Sequence, residues 1–229
     1  MKCSQCESTR TSKNGHRRGR QAYLCKDCGR QFLESYLSQG YSNDIRQLCL
    51  KMYVNGMGFR AIERVTNINH NTIINWVKQA ARSLPDTPEY SQIAEIAEAD
   101  ELQTFVGVKK HKVWVWSVVN HWRAGILAWV VGDRSAQSFE PLWQLMSGWA
   151  CFWYVTDGYC VYSSFIEQAD HLVSKTDMTR VEGENSRLRH YLARLHRKTF
   201  CYSKSIEMLK LSLRLLLHYL KFRSVPVPA

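Results

Sequence analysis

Two groups of side chains carry the chemistry that this sequence can support. The first is Cys3-x-x-Cys6 with Cys25-x-x-Cys28, two knuckles with 18 residues between them. Each knuckle puts two thiolates on one tight turn, and two such turns complete a tetrahedron around a structural Zn²⁺. Gly29 follows the second knuckle, where a residue tolerant of positive φ is useful. The second group is Asp100, Asp157 and Glu182, at intervals of 57 and 25. Three convergent carboxylates can hold two Mg²⁺ or Mn²⁺ ions about 3.5–4 Å apart, which activate an attacking oxygen and stabilise a leaving one in a phosphoryl displacement. Spacing alone leaves Glu101, Asp133 and Glu184 as competitors. Most carboxylates are simply solvated, and those in first helical turns often serve the helix dipole.

The charge pattern agrees with a metal-dependent site on a polyanion. The chain has 229 residues, 45% of them hydrophobic, enough for one large domain or two to three small ones. Thirty-one Lys and Arg face 20 Asp and Glu, a formal charge of +11 that favours nucleic acid over a membrane surface as partner. Residues 1–90 carry net +7, residues 91–186 net −5, and residues 187–229 net +9. An acidic middle inside a DNA-binding chain repels phosphate unless metal ions neutralise it. No run reaches the roughly 18 to 20 apolar residues of a membrane span. Cys3 and Cys6 sit where a secretory signal would begin. The expected location is the cytoplasm, associated with the nucleoid, where the eight cysteines are free or metal-bound rather than paired.

The elements that must position these groups fall into three modules. Residues 1–35 read as a zinc ribbon whose hairpin presents Arg17, Arg18 and Arg20 to phosphate, with Tyr23 on the return strand. Residues 42–83 read as a helix-turn-helix DNA-binding domain. Its first helix is capped by Ser42 or Asn43 and carries Ile45, Leu48, Cys49, Met52 and Tyr53 on its inner face. The second helix runs from about Phe59 to Val65 with Ala61, Ile62 and Val65 inward, and Ile68 plugs the corner. The third starts near Asn71 and would enter the major groove, showing His70, Asn71, Thr72, Asn75 and Lys78 outward. Residues 84–90, with two prolines, are an extended linker.

Residues 91–223 alternate strands and helices, and 224–229 form a tail. Strands are expected over Ile93–Ala99, Lys112–Asn120, Ala124–Val131, Phe152–Thr156 and His171–Ser174. Helices are expected over Ala136–Met146, Tyr162–Gln168, Thr179–Leu195 and Ser203–Phe222. That order predicts an α/β domain with a mixed central sheet, the order of ribonuclease H-like folds. Asp100 then ends the first strand, Asp157 ends the fourth, and Glu182 lies in the first turn of a long helix, all near a topological switch point. Arg189, two turns after Glu182, shares its face, and Arg187, Arg194, Arg197, Lys198 and Lys204 extend a basic surface.

The segments Glu98-Ala99-Asp100-Glu101, Val155-Thr156-Asp157-Gly158 and Thr179-Arg180-Val181-Glu182 resemble the transposases of the insertion-sequence-one family. So do Asn185, Leu188-Arg189, Arg194, Arg197-Lys198 and Tyr202-Ser203-Lys204-Ser205. The resemblance covers essentially the whole chain. It implies an Asp-Asp-Glu (DDE) transposase that cuts at terminal inverted repeats and joins 3′-hydroxyl ends to target DNA. It maps the acids to Asp100, Asp157 and Glu182, with Glu184 close enough to leave the glutamate the least secure. Arg180, Asn185, Arg189, Lys198 and Lys204 would then contact DNA. Joining two ends calls for a homodimer or higher oligomer, for which the leucines of the last helix, Leu209 to Leu220, offer one contact. The rival readings are a non-catalytic DNA-binding repressor and a structure-specific nuclease on the same fold.

Overall fold

The computed structural model describes residues 1–17, 19–35, 40–85 and 94–227. Arg18, linker residues 86–90, the start of the first expected strand at 91–93 and tail residues 228–229 lie outside the described residues. Two compact units are present, Met1–Tyr41 and Ser42–Ala229.

The first unit is a three-stranded antiparallel sheet of β1 (Thr11–Arg17), β2 (Arg20–Cys25) and β3 (Gln31–Leu33). It has little apolar material to bury. Cys3, Cys25 and Phe32 form its core with Tyr23, which stacks on Phe32 at a centroid distance of 5.8 Å.

The second unit begins with α1 (Asn43–Val54), α2 (Phe59–Thr66) and α3 (His70–Arg82). The Ser42 hydroxyl accepts the Ile45 N–H and caps α1. Asn67 ends α2 in the left-handed conformation at φ 57°, which an Asn tolerates, and Asn69 caps α3 by accepting the Asn71 N–H. Ile68, between those two asparagines, is buried as expected. The inner face of α1 differs from expectation: Cys49, Leu50, Tyr53 and Val54 are buried, whereas Ile45 and Leu48 are exposed, as is Val65 of α2.

The five-stranded sheet has the order β6-β5-β4-β7-β8. Its strands are β4 (Ile96–Phe105), β5 (Lys112–Asn120), β6 (Ile126–Gly132), β7 (Trp153–Thr156) and β8 (His171–Val173). The first three pair antiparallel, and β7 and β8 add in parallel on the other edge of β4. Strand β4 runs past the expected end at Ala99, because alternation continues through Leu102, which is buried. Asp100 is therefore interior to the strand, opposite Ser117. One face of the sheet (Ala97, Ala99, Trp116, Val118) packs on α4 (Ala136–Ser147) and α5 (Cys160–Ser163). The helix expected over Tyr162–Gln168 is thus short and begins earlier.

The other face supports α6 (Thr179–Tyr191) and α7 (Ile206–Phe222). Helix α6 stops before the expected Leu195: Leu192 is extended, and Ala193–Leu195 form a 3₁₀ turn that carries Arg194 into the core. Helix α7 packs against α1 and α3 on one side and β6 on the other. That explains its leucine content, since Leu209, Leu211, Leu213, Leu215 and Leu216 are all buried within the chain. A polar contact joins the layers, with the Tyr53 and Ser212 hydroxyls 2.7 Å apart. Leu213→Ala should lower stability by about 2–5 kcal/mol through the cavity it leaves. In urea the midpoint should fall with an unchanged slope, and an unmoved midpoint would contradict this packing.

Candidate metal centre and carboxylate face

The four knuckle cysteines meet, with all four Sγ atoms within 4.8 Å of one another. Cys3 and Cys28 are 3.6 Å apart and Cys6 and Cys25 3.5 Å. Thiolates on one tetrahedral ion at about 2.3 Å would be separated by about 3.8 Å, so the set has the right size. Each knuckle closes in the same way. The Glu7 N–H donates to Cys3 O and the Gly29 N–H to Cys25 O, each from a left-handed residue. Sequence anticipated Gly29 but not Glu7, at φ 57°. The backbone amides of Cys6 and Gln5 point at Cys3 Sγ and lower its pKa, and the backbone amide of Cys28 does the same for Cys25, while Cys6 and Cys28, whose sulfurs face these two, are raised.

The acids lie on the sheet. Along β4, alternation sends Glu98, Asp100 and Leu102 to the α6–α7 face and Ala97, Ala99 and Glu101 to the α4–α5 face. Strand β7 pairs Glu98 with Val155, and two residues further on in the same register Asp157 follows the end of β7 beside Asp100. Asp100 accepts from Asn185 Nδ2 at 2.8 Å, and Asn185 Oδ1 accepts from the Ser117 hydroxyl at 3.3 Å. Asp157 Oδ1 accepts the Tyr159 N–H at 2.9 Å. Gly158 beside it has φ 80°, and an added Cβ would meet a Val173 methyl at 2.6 Å. Glu182 is exposed, on the turn of α6 preceding Asn185. Among the described residues, only the cysteines bring three or more His, Cys, Asp or Glu ligand atoms within 4.8 Å; Asp100, Asp157 and Glu182 do not come together within that distance.

The competing acids are otherwise engaged. Glu101 accepts from Arg134 and from the Tyr162 hydroxyl on the opposite face. Asp133 accepts from the Ser135 and Ser138 hydroxyls at the start of α4. Glu184 is buried and accepts from the Gly125 N–H and Arg187. Glu98, to which no role is assigned from sequence, is wholly buried. Its Oε2 accepts the Val181 N–H at 2.8 Å, and His121 Nδ1 lies 2.6 Å from its Oε1. The only sequence signal for it is its parity with Asp100 along β4.

The expected DNA contacts are spread over both units. Arg17 donates to Gln31 and Arg20 to Ser35 O on the small sheet. On α3, Asn71 and Asn75 are exposed and Thr72 and Lys78 half-buried, while His70 Nδ1 lies 2.9 Å from Glu63. Arg180 is exposed at the start of α6, with Nε donating to His121 O at 3.4 Å. Arg189 donates to Gln103 O and Leu195 O, and Lys198 and Lys204 are exposed.

Burial raises the Asp100 carboxyl to about 6, with Glu101 and Asp157 adding repulsion. An acid whose folded pKa exceeds its unfolded value of 3.8 costs stability as it ionises. That cost is absent below both values and complete above about pH 6. In buffer free of divalent metal, Asp100→Asn should therefore stabilise the protein by about 1–3 kcal/mol at pH 7–8. The gain should shrink toward pH 4, and urea titrations that show no gain at pH 7 would contradict this account.

Among the described residues no helix is long and apolar enough to cross a membrane. The chain is 36% identical over 112 residues to the insertion element IS1 protein InsB of Shigella flexneri, a match covering 49% of this chain and 86% of that protein. It is 34% identical over 118 residues to the IS1 9 protein InsB of Escherichia coli strain K12, covering 52% of this chain and 71% of that protein. InsB of Haemophilus ducreyi matches at the same identity and coverage, 34% over 118 residues. The IS1 transposase family matches residues 93–224, which hold the whole sheet, both of its helical faces and all three candidate acids. With more than half of its length matched, the chain belongs to the IS1 transposase family.

Proposed function

We propose that the protein is a DNA transposase that cleaves transposon ends to expose 3′-hydroxyls and joins them to target DNA by divalent-metal phosphoryl transfer. The observation that carries this reading is the strand register that sets Asp100 and Asp157 on one face of neighbouring strands, within the matched region. Glu182, in the first turn of α6, is the third ligand of this reading. The sheet order and its antiparallel-then-parallel pairing support a ribonuclease H-like domain over 91–223. The left-handed corner between α2 and α3 and the exposed Asn71 and Asn75 support a helix-turn-helix over 42–83.

The residues fit divalent ions. All three ligands are oxygen donors, which suits Mg²⁺ or Mn²⁺, and burial, with repulsion from Glu101 and Asp157 added, raises the Asp100 pKa, so a bound cation would favour its carboxylate form. Asp100, Asp157 and Glu182 would hold the ions. When bound, these ions polarise the scissile phosphate and activate the attacking oxygen. The chain's own residues set the stage. Asn185 orients the Asp100 carboxylate, the Tyr159 N–H orients Asp157, and Ser117 orients Asn185. Arg180, Asn185, Arg189, Lys198 and Lys204 would line the DNA path. The cysteine cluster would bind one Zn²⁺ that holds the small sheet together and presents Arg17, Arg18 and Arg20 to phosphate. Concerted joining of two ends requires at least a homodimer, each copy contributing one carboxylate site.

Replacing Asp100, Asp157 or Glu182 singly by Ala should abolish strand transfer on inverted-repeat substrates while leaving end binding within about threefold, a difference of under 1 kcal/mol. Full strand transfer by Glu182→Ala with loss in Glu184→Ala would move the third ligand to Glu184. Elemental analysis of the reduced protein should find one zinc per chain. Cys3→Ser should lose it and weaken DNA binding without altering the metal dependence of any residual cleavage; a zinc-free wild type that binds DNA normally would refute the ribbon.

A further inference from the structure

Next to the carboxylate face lies a cavity of about 370 Å³ lined by Lys109, Arg189, Arg194, His196, Arg197 and Lys198, with no carboxylate among its lining residues. Five of these six always carry positive charge at neutral pH. None of the five has an ion pair with a carboxylate among the described residues. The innermost is Arg194, only 7% exposed. Its guanidinium packs 5.6 Å from the ring centroids of both Tyr53 and Phe59. Its Nε donates to the Tyr53 hydroxyl at 2.8 Å and its Nη1 to the Ser203 hydroxyl at 2.9 Å. Two hydroxyls and two aromatic faces hold this buried cation, and no carboxylate neutralises it, so an anion entering the cavity would find its charge unmatched.

We propose that this cavity is a phosphate-binding pocket that takes a backbone phosphodiester of the DNA strand leading to Asp100 and Asp157. The choice of DNA over another phosphate rests on the transposase reading; the anion chemistry does not. The geometry fits a continuous strand. Arg189 Nη2 donates to Gln103 O, three residues along β4 from Asp100, and Arg189 is seven residues along α6 from Glu182. Both paths span about 10 Å, the axial rise of about three base pairs of duplex. Arg194 and Arg189 have their positions fixed by the protein, whereas Lys109, Arg197 and Lys198 are exposed and free to close over the ligand. Lys198 adopts φ 58°, a left-handed turn in the rim of the pocket.

The test measures binding of the full chain to a random-sequence DNA duplex across a salt series, without divalent metal, so that cleavage plays no part. The K109Q/R197Q/K198Q variant alters exposed side chains only. Its plot of log affinity against log salt should be shallower by about 1 to 3, with equal loss on unrelated sequences. Arg194→Gln should also flatten the slope by about 1, although the residue is buried, and Arg194→Lys should restore it. Unchanged slopes in the surface variant overturn the proposal even if Arg194→Gln does not fold. A slope that falls in the surface variant but not in a folded Arg194→Gln protein overturns it too, since the cations then act only as a general positive surface. Thermal stabilisation by millimolar inorganic phosphate that the surface variant loses, with DNA slopes unchanged, assigns the pocket to a small free anion and rejects DNA. Each outcome is independent of strand transfer: inactive Asp157→Ala protein should keep the full slope, so the pocket and the catalytic reading can fail separately.

Discussion

The carboxylate of Glu98 fixes where α6 sits on the sheet, and the candidate site inherits that position. Helix α6 has no side-chain cap of its own, since Met178 precedes it. Instead Glu98, buried in the middle of the domain, accepts the Val181 N–H in the first turn while His121 meets its other oxygen. An isolated buried carboxylate would be prohibitive; one that uses both oxygens at the positive end of a helix is tolerated. This bond sets the register of α6 along β4. Given it, Asn185 arrives at Asp100 one turn later and Arg189 at Gln103 another turn on. The helix and strand run in step, so a slip of either would separate all these pairs together.

Local chemistry was legible in the sequence and distant partnership was not. The cysteine knuckles are self-contained turns, so their spacing alone foretold that four sulfurs meet. The corner at Ile68 and the cap at Ser42 are likewise written into a few neighbouring residues. The end of β4 was misjudged because Glu98, Asp100 and Glu101 look like a polar terminus. All three are half-buried or buried, and Glu98 and Asp100 meet partners 23 to 85 residues away in sequence, including His121 and Asn185. Glu101 is satisfied by Arg134 and Tyr162 from the other side of the sheet, which no spacing rule reveals.

The inner face of α1 was misread for a related reason. Ile45 and Leu48 make as good an apolar stripe as Leu50 and Val54, and helical period cannot choose between them. What chooses is α7, whose Ser212 and Tyr219 meet Tyr53 and Asn55. The many leucines of α7 have the same origin: a helix packed on both sides needs apolar residues most of the way round. The early end of α6 also depends on a distant contact, because Arg194 must leave the helical path to reach Tyr53.

Because α7 is gripped by α1 and α3 on one side and the sheet on the other, it acts as a spacer of fixed thickness. Helices pack at 8–10 Å between axes whatever the length of the chain that joins them. On the transposase reading, the offset between bases touched by α3 and the phosphodiester beneath α6 is then a property of one layer of leucine side chains. The polypeptide joining α3 to β4 could lengthen or shorten across evolution without moving the cut, whereas a change of side-chain volume along α7 would shift it. The molecule would measure DNA with its hydrophobic core.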